Sequence, residues 1–424
     1  MKIIRYAELS QEFFKYQEIE EIDSVKSIIA DVKLLGDDAV RKYTRQFDKC
    51  ELESIRVSNK EILSAARQLK RDEMEALKAT ADNIRRFAEK QKQQYVDFEI
   101  EIDPGVFTGQ RVIPIERVGV YTPGGSYPLP SSVLMGAIPA QVAGVKEIVL
   151  CSPPSFGGSI HPTILAAAVI CDIEEIYKIG GVQSIAAMAY GTETIRPVDK
   201  IVGPGNKYVT AAKKEVFGAV GIDFVAGPSE LFIIADQSAD PVYVAADLLG
   251  QAEHDVNAIP ALATDSRKLA LSVEVEIGKQ LSRLKTADIA RSAIKNNGLI
   301  IIVDSIEQAC EVANRRAPEH LELQLSNADD FVNKLTNYGS LFIGSLAAEV
   351  LGDYSSGLNH TLPTNTTARY AGGLSVKDFL KFQTRLRVNK KGLNSIGPIA
   401  KKMGEMEGLD GHAKSVELRL FRKK

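Results

Sequence analysis

The run KEIVLCSPP (146–154), PTILAAAVICD (162–172), IEEIYKIGG (173–181), QSIAAMAYG (183–191), VDKIVGPGN (198–206), KYVTAAKKEVF (207–217), IDFVAGPSE (222–230) and LFIIAD (231–236) decides the fold. Short apolar stretches alternate with Ala-rich stretches of helical length. That alternation argues for a parallel sheet covered by helices on both faces. Several strands run into Gly and Pro loops that open the next helix, at Gly180-Gly181 and at Gly203-Pro204-Gly205-Asn206. Ligands of open α/β sheets bind at such carboxyl-end loops.

Downstream a similar series follows: IPALAT (259–264), a long helix from about Arg267, GLIIIVDS (298–305), a helix through Ala309 to Asn314, and SLFIG (340–344). Upstream, IDSVKSIIADVKLLGDDAVRKYTRQFD (22–48) and NKEILSAARQLKRDEMEALKATADNIRRFAEKQKQQ (59–94) keep apolar positions three and four apart, so the N-terminal region reads as long amphipathic helices. Ser58 or Asn59 offers the N-cap of the second. FEIEIDPGVFTGQRVIPIERVGVY (98–121) alternates instead, and predicts short strands with a hairpin at Asp103-Pro104-Gly105. Beyond Ser375 the chain is Lys-rich and reads as mostly helical. The expectation is an α/β fold: two related, incomplete Rossmann-like units, a helical N-terminal region and a helical C-terminal tail.

Composition narrows the function. In 424 residues, 52 basic and 55 acidic side chains leave a net charge of −3, without the basic footprint of a nucleic-acid binder. The stretch Val133 to Val149 carries Pro139, Gln141 and Lys146, too interrupted to cross a bilayer. MKIIRYAELSQEFF has no targeting pattern, and Cys50, Cys151, Cys171 and Cys310 stand far apart, so a reducing, cytoplasmic setting is expected.

Histidine is scarce, and four of the five stand beside an acid or amide in a Gly- or Pro-marked segment. Gln251 and His254 lie three apart near a helix end, Asp353 and His360 share the loop GDYSSGLNHTLPT, and Glu407 and His412 flank a turn near the carboxyl end. Glu319 and His320 are adjacent in RRAPEHLELQL, where neighbouring side chains point apart and can serve two proton transfers. His161, before a Pro at a helix start, reads as local structure. A His, His, Asp, Gln type of set suits zinc with an open position, although spacing does not say which histidines bind metal and which move protons. No GxGxxG fingerprint or P-loop is present. The nearest phosphate-loop candidates are 121–126 and 203–206, and both also read as plain turns.

The ordered set VYTPGGSYPLPSSVLM, LCSPP, IGGVQSIAAMAYGTE, VDKIVGPGNKYVT, AGPSE, DLLGQAEHD, APEHLEL, GDYSSGLNHTLPT and EGLDGHAKSVELR closely resembles the histidinol dehydrogenases, over essentially the whole chain. The resemblance implies oxidation of L-histidinol to L-histidine through L-histidinal, the last steps of histidine biosynthesis, with two NAD reduced and one zinc per subunit. By matching position, Gln251, His254, Asp353 and His412 become the zinc ligands and also face the substrate. Glu319 and His320 become the acid–base pair: His320 takes the alcohol proton and Glu319 then activates water. Ser229, His360 and Glu407 become substrate contacts, and Tyr121, Gln183 and Asn206 contacts to NAD. A neutral His320 near its usual pKa is expected. Because the implied route uses water, Cys151 reads as structural and not as a thiohemiacetal nucleophile. The family pattern further implies a homodimer whose tails complete the partner's site. It sets 1–120 with 229–370 as a discontinuous domain, 121–228 as the NAD-binding unit and 371–424 as a C-terminal helical dimerisation tail. A zinc hydrolase, a sister dehydrogenase acting on another small alcohol, and a non-enzymatic binding or scaffold protein are the competing readings.

Overall fold

The computed structural model describes residues 1–18, 22–124, 127–154 and 157–421. Gly125 and Ser126 of the 121–126 turn, Ser155 in the following loop, and the last three residues of the basic end lie outside them. Strand β1 (Lys2–Arg5) is followed by helices α1 (Asp23–Leu35), α2 (Asp37–Asp48), α3 (Asn59–Gln68) and α4 (Arg71–Lys92). Each of the two long helices expected from periodicity is thus divided. Gly36 ends α1 at φ +52° and ψ −127°, a conformation that favours glycine. Before α4, the Glu73 carboxylate accepts from the Lys70 N–H at 2.8 Å and starts a new helix. Ser58 caps α3 and closes a capping box with Glu61.

The hairpin β2 (Phe98–Asp103) and β3 (Val106–Pro114) turns at Pro104-Gly105 as expected. The first α/β unit holds β4 (Arg117–Tyr121), α5 (Pro130–Ala143), β5 (Glu147–Cys151), α6 (Pro162–Ile170), β6 (Glu175–Tyr177), α7 (Gly181–Tyr190), β7 (Lys200–Val202), α8 (Lys207–Val216) and β8 (Gly221–Ile222). The second holds β9 (Glu230–Ala235), α9 (Pro241–Ala252), β10 (Ile259–Thr264), α10 (Arg267–Leu281), α11 (Ala287–Asn296), β11 (Leu299–Ile302), α12 (Ile306–Arg316), β12 (His320–Gln324), α13 (Asp329–Val332), β13 (Ser340–Ile343) and α14 (Glu349–Tyr354).

Both sheets are parallel, in the orders β6-β5-β4-β7-β8 and β1-β11-β10-β9-β12-β13. In each unit the first strand is central, the next two lie on one side and the last two on the other. Strand order therefore reverses between β4 and β7, and again between β9 and β12.

Packing divides the N-terminal region between the two units. Helices α1 to α4 pack mainly on the first, α1 and α2 on α7, α3 on α6 and α4 on α5, while α4 also reaches the second, with Thr80 and Asn83 donating to the Tyr354 and Ser355 carbonyl oxygens at 2.7 Å. Their apolar stripes, Val25, Ile28, Ile29 and Val32 in α1 and Ala81, Ile84 and Ala88 in α4, share cores with residues of the first unit. From this region β1 joins the second sheet, beside β11. The tail is also not wholly helical. Strand β14 (Leu380–Val388) pairs antiparallel with β3 before α15 (Lys390–Met406) and α16 (Asp410–Phe421). KFQTRLRV alternates apolar and polar residues at strand period, a signal that its Lys and Arg content obscured.

Arg117 sits buried at the start of β4, with Glu147 and Glu175 at the starts of the two neighbouring strands. Its guanidinium reaches Glu175 at 2.7 Å and Glu147 at 2.5 Å. Hydrogen bonds from Arg117 outweigh burial and hold the Glu175 carboxyl down at about 2, against an ordinary 4.5. A depressed carboxyl contributes stability above its unfolded pKa and loses it as pH falls through the folded value. The urea midpoint of the wild type should therefore exceed that of Glu175→Gln at pH 6, and the gap should narrow steadily below pH 4.5. A gap independent of pH would show that the ion pair contributes nothing.

Candidate active site

The catalytic candidates gather at one edge of the second sheet. His320 opens β12 and pairs in register with Leu231 of β9 and Ser340 of β13, so Glu319, His320, Ser229 and Glu230 all lie at the amino ends of these strands. Helix α9 runs back from the carboxyl end of β9 and delivers Gln251 and His254 to the same edge. Helix α14 supplies Asp353 just after β13. The carboxyl-end rule that guided the sequence reading does not describe this cluster.

His320, Glu319, Asp353 and Gln251 are buried, while His254 is exposed at the mouth. The His320 ring has Asp353 Oδ1 at 3.5 Å from Nε2. On its other side, Glu349 Oε1 and Glu319 Oε2 stand 3.3 Å and 3.8 Å from Nδ1. Nδ1 also faces the Glu230 carbonyl oxygen at 3.3 Å, the contact that suits an Nδ1–H tautomer. Burial alone would lower the imidazole pKa, but Glu349, Glu319 and Asp353 together raise it well above the usual value. The expected near-normal His320 is thus corrected: three carboxylates favour its protonated form.

Burial pushes Glu319 up to about 8 despite the neighbouring imidazole, and carries Glu349 well above the carboxylate range. Asp353 moves the other way, because burial is outweighed by its contact with His320. Burial lowers His360, and desolvation by the protein packed around the ring lowers His254 even though part of its surface is exposed; both shifts favour the neutral, lone-pair form.

Among the described residues, His254, Glu349 and Asp353 each present a ligand atom within 4.8 Å of the others. With its nitrogen turned toward Glu349, the Gln251 carboxamide donates to Oε1 at 2.7 Å, which leaves its oxygen for another partner. Three of the four residues assigned as ligands by resemblance are therefore brought together. The donor types fit a divalent ion such as zinc, and so does the excess of buried carboxylate over cationic side chains. His412 is not in this group. It is exposed on α16, whose packing is chiefly against α15, and Glu407 is exposed at the end of α15.

Glu349 and Glu230 were missed in the sequence. Glu349 lies four residues before Asp353 on one helical face, the spacing that could have revealed it. Glu230 carries no such signal.

His360 joins the two units: Nε2 is 3.3 Å from Ser132 Oγ in α5, and Nδ1 is 3.3 Å from the Asp353 carbonyl oxygen. In the first unit, Tyr121 ends β4 and Asn206 follows β7, on either side of the strand-order reversal where dinucleotides bind in such folds. The buried Tyr121 hydroxyl accepts from the Gly181 N–H at 3.3 Å. Asn206 caps α8 by accepting from Tyr208 and Val209. Gly203, at φ +120°, lies so close to Tyr121 that a Cβ would fall 2.1 Å from its carbonyl oxygen. Thr122 Oγ1, Ser152 Oγ and Gln183 Oε1, at the ends of β4 and β5 and the start of α7, are buried without a hydrogen-bond partner.

Cys151 is fully buried and burial drives its thiol far above the usual range, which disfavours the thiolate and fits a structural residue. His161 caps α6 by accepting from the Thr163 N–H at 3.3 Å. No described helix is long and apolar enough to cross a membrane.

The histidinol dehydrogenase family model matches residues 12–420. A histidinol dehydrogenase of Geobacillus kaustophilus is 46% identical over 401 residues, 95% of this chain and 94% of the relative. One from Methanothermobacter thermautotrophicus is 44% identical over 419 residues, 96% of this chain and 98% of its own. The crystal structure of histidinol dehydrogenase from Elizabethkingia anophelis superposes with a TM-score of 0.94 at 42% identity, covering 99% of this chain and 98% of that one. With the sequence motifs, the two-unit fold and these matches in agreement, the chain belongs to the histidinol dehydrogenase family.

Proposed function

We propose that this oxidoreductase converts L-histidinol to L-histidine through L-histidinal, in two oxidations that each reduce one NAD. Gln251, His254 and Asp353 would hold a zinc ion with His412 of a second subunit. The convergence of His254 and Asp353 on the Glu319–His320 pair carries this reading. When bound, zinc would orient the substrate through its nitrogen donors and NAD would accept hydride.

The chain's own groups supply the proton chemistry. His320, held by the Glu230 carbonyl, takes the proton of the alcohol. Its raised proton affinity is the cost of three adjacent carboxylates, and a divalent cation beside Asp353 would offset that charge and return the imidazole to base work near pH 7. Glu319, with a pKa of about 8, is a stronger base than an ordinary carboxylate and suits removal of a proton from water attacking the aldehyde. Ser229, His360 and Glu407 would line the substrate pocket, with Glu407 reaching across from the partner. Tyr121, Gln183 and Asn206 would contact NAD.

The test follows NADH formed from limiting L-histidinol before and after chelation. Two NADH per substrate are expected, lost on chelation and restored by zinc. NADH from no alcohol would favour a hydrolase, and NADH from another amino alcohol in preference would point to a sister dehydrogenase.

A further inference from the structure

One residue behind the reaction centre is gripped by everything that must be held still. The Glu230 backbone N–H donates to Glu319 Oε2 at 2.9 Å, and its carbonyl oxygen faces His320 Nδ1 at 3.3 Å. Its side chain is buried and takes Arg316 in a two-nitrogen contact, Nε at 2.7 Å and the terminal nitrogen at 2.6 Å. The second Glu230 oxygen accepts the Asn365 backbone N–H. Arg316 is itself buried, ends α12 three residues before Glu319, and donates onward to the Phe13 carbonyl at 2.7 Å. Its guanidinium lies over the Phe13 ring, 5.0 Å from the centroid. Asn365 pairs with the Gln17 backbone in both directions, at 2.8 Å and 2.7 Å.

We propose that the Arg316–Glu230 ion pair is a positioning device that sets the rotamer of Glu319 and the tautomer of His320 through the Glu230 peptide groups, with the Phe13–Gln17 segment as its outer brace. The geometry favours this over a purely structural role. A buried ion pair adds little stability over apolar residues of the same size, and in some proteins such a pair specifies an arrangement instead. Here the arrangement is local: Arg316, Glu319 and His320 belong to one five-residue stretch that closes on a single residue of the central strand. Arg316 fixes the Glu230 side chain from one end of that stretch, and the two reacting side chains read its backbone from the other. The inference rests on Glu319 and His320 being the acid–base pair.

Its test uses full-length enzyme, the variants Arg316→Lys and the charge-neutral double variant Glu230→Gln/Arg316→Met, and 15N-histidine NMR with His320 assigned by His320→Asn. Wild type should show the Nδ1–H tautomer at His320. In folded variants this signature should give way to mixed tautomers, kcat with L-histidinol should fall by about a hundredfold, the loss typical of a small misplacement, and KM and bound zinc should change little. Arg316→Lys should recover part of the rate lost in the double variant, because it retains one donor. A folded variant with wild-type kcat and tautomer overturns the proposal, as does a wild-type His320 without the Nδ1–H signature, even where no variant folds. Wild-type enzyme forming no NADH from L-histidinol would instead remove the proposed reaction, and the tautomer measurement would still decide the positioning claim.

Discussion

His320→Asn should lower the rate of NADH formation from L-histidinol by about a thousandfold, while leaving bound zinc near the wild-type level. The loss is large because the ring stands within 3.8 Å of Glu319, Glu349 and Asp353 at the centre of the site, and asparagine keeps hydrogen bonding but cannot take a proton at Nε2. Glu319→Gln should behave differently. Its first oxidation should be less affected, whereas oxidation of added L-histidinal should fall by about two to three orders of magnitude, since that step needs a base for water. Stopped-flow measurement of the two NADH phases separates the pair. Equal losses in both phases for both variants would contradict the division of labour, and an unchanged rate in His320→Asn would remove it from the chemistry.

The second large effect concerns His412. Within one subunit it is exposed on α16, outside the group formed by His254, Glu349 and Asp353. If it completes a zinc site across a dimer, His254→Asn and His412→Asn should each be folded, metal-poor and nearly inactive, because each removes one ligand from a site that a chain of this size does not need for folding. Coexpressed, they should recover activity. In a mixed dimer one site combines both lesions and the other combines none. Random pairing therefore restores about a quarter of the wild-type sites. Recovered activity near that fraction, with zinc in proportion, is the expected result, and no recovery from dimers shown to be mixed would place His412 within its own subunit's site. The exposed Ile399, Met403, Met406, Leu418 and Phe421 give the tail apolar area for such an association.

Elements and residue types were legible where the cause is local. Ser58 with Glu61, the Asp103 to Gly105 hairpin and the helix starting at Arg267 follow from neighbours a few positions away. Gly36 is a plain exception: one glycine in an otherwise helical period reads as tolerable, but its backbone takes φ +52° and ψ −127° and ends the helix, and Glu193, 157 positions later, accepts the Asp37 N–H that opens the next one. The strand β14 escaped for a related reason, since its partner β3 lies far back in the chain and the strand itself is mostly polar.

By itself the sequence determined two strand–helix series, a set of nitrogen and oxygen donors and an adjacent acid–imidazole pair, because periodicity and side-chain chemistry act over a few residues. Tertiary structure alone decided where these meet. The order β10-β9-β12-β13 puts Glu230 beside the Glu319–His320 pair, and the return of α9 carries Gln251 and His254 to the amino edge of the second sheet. It also decided the proton affinities: Glu319, Glu349 and Asp353, separated by up to 34 positions, meet around His320 and raise its basicity against the effect of its burial, while burial raises that of Glu319.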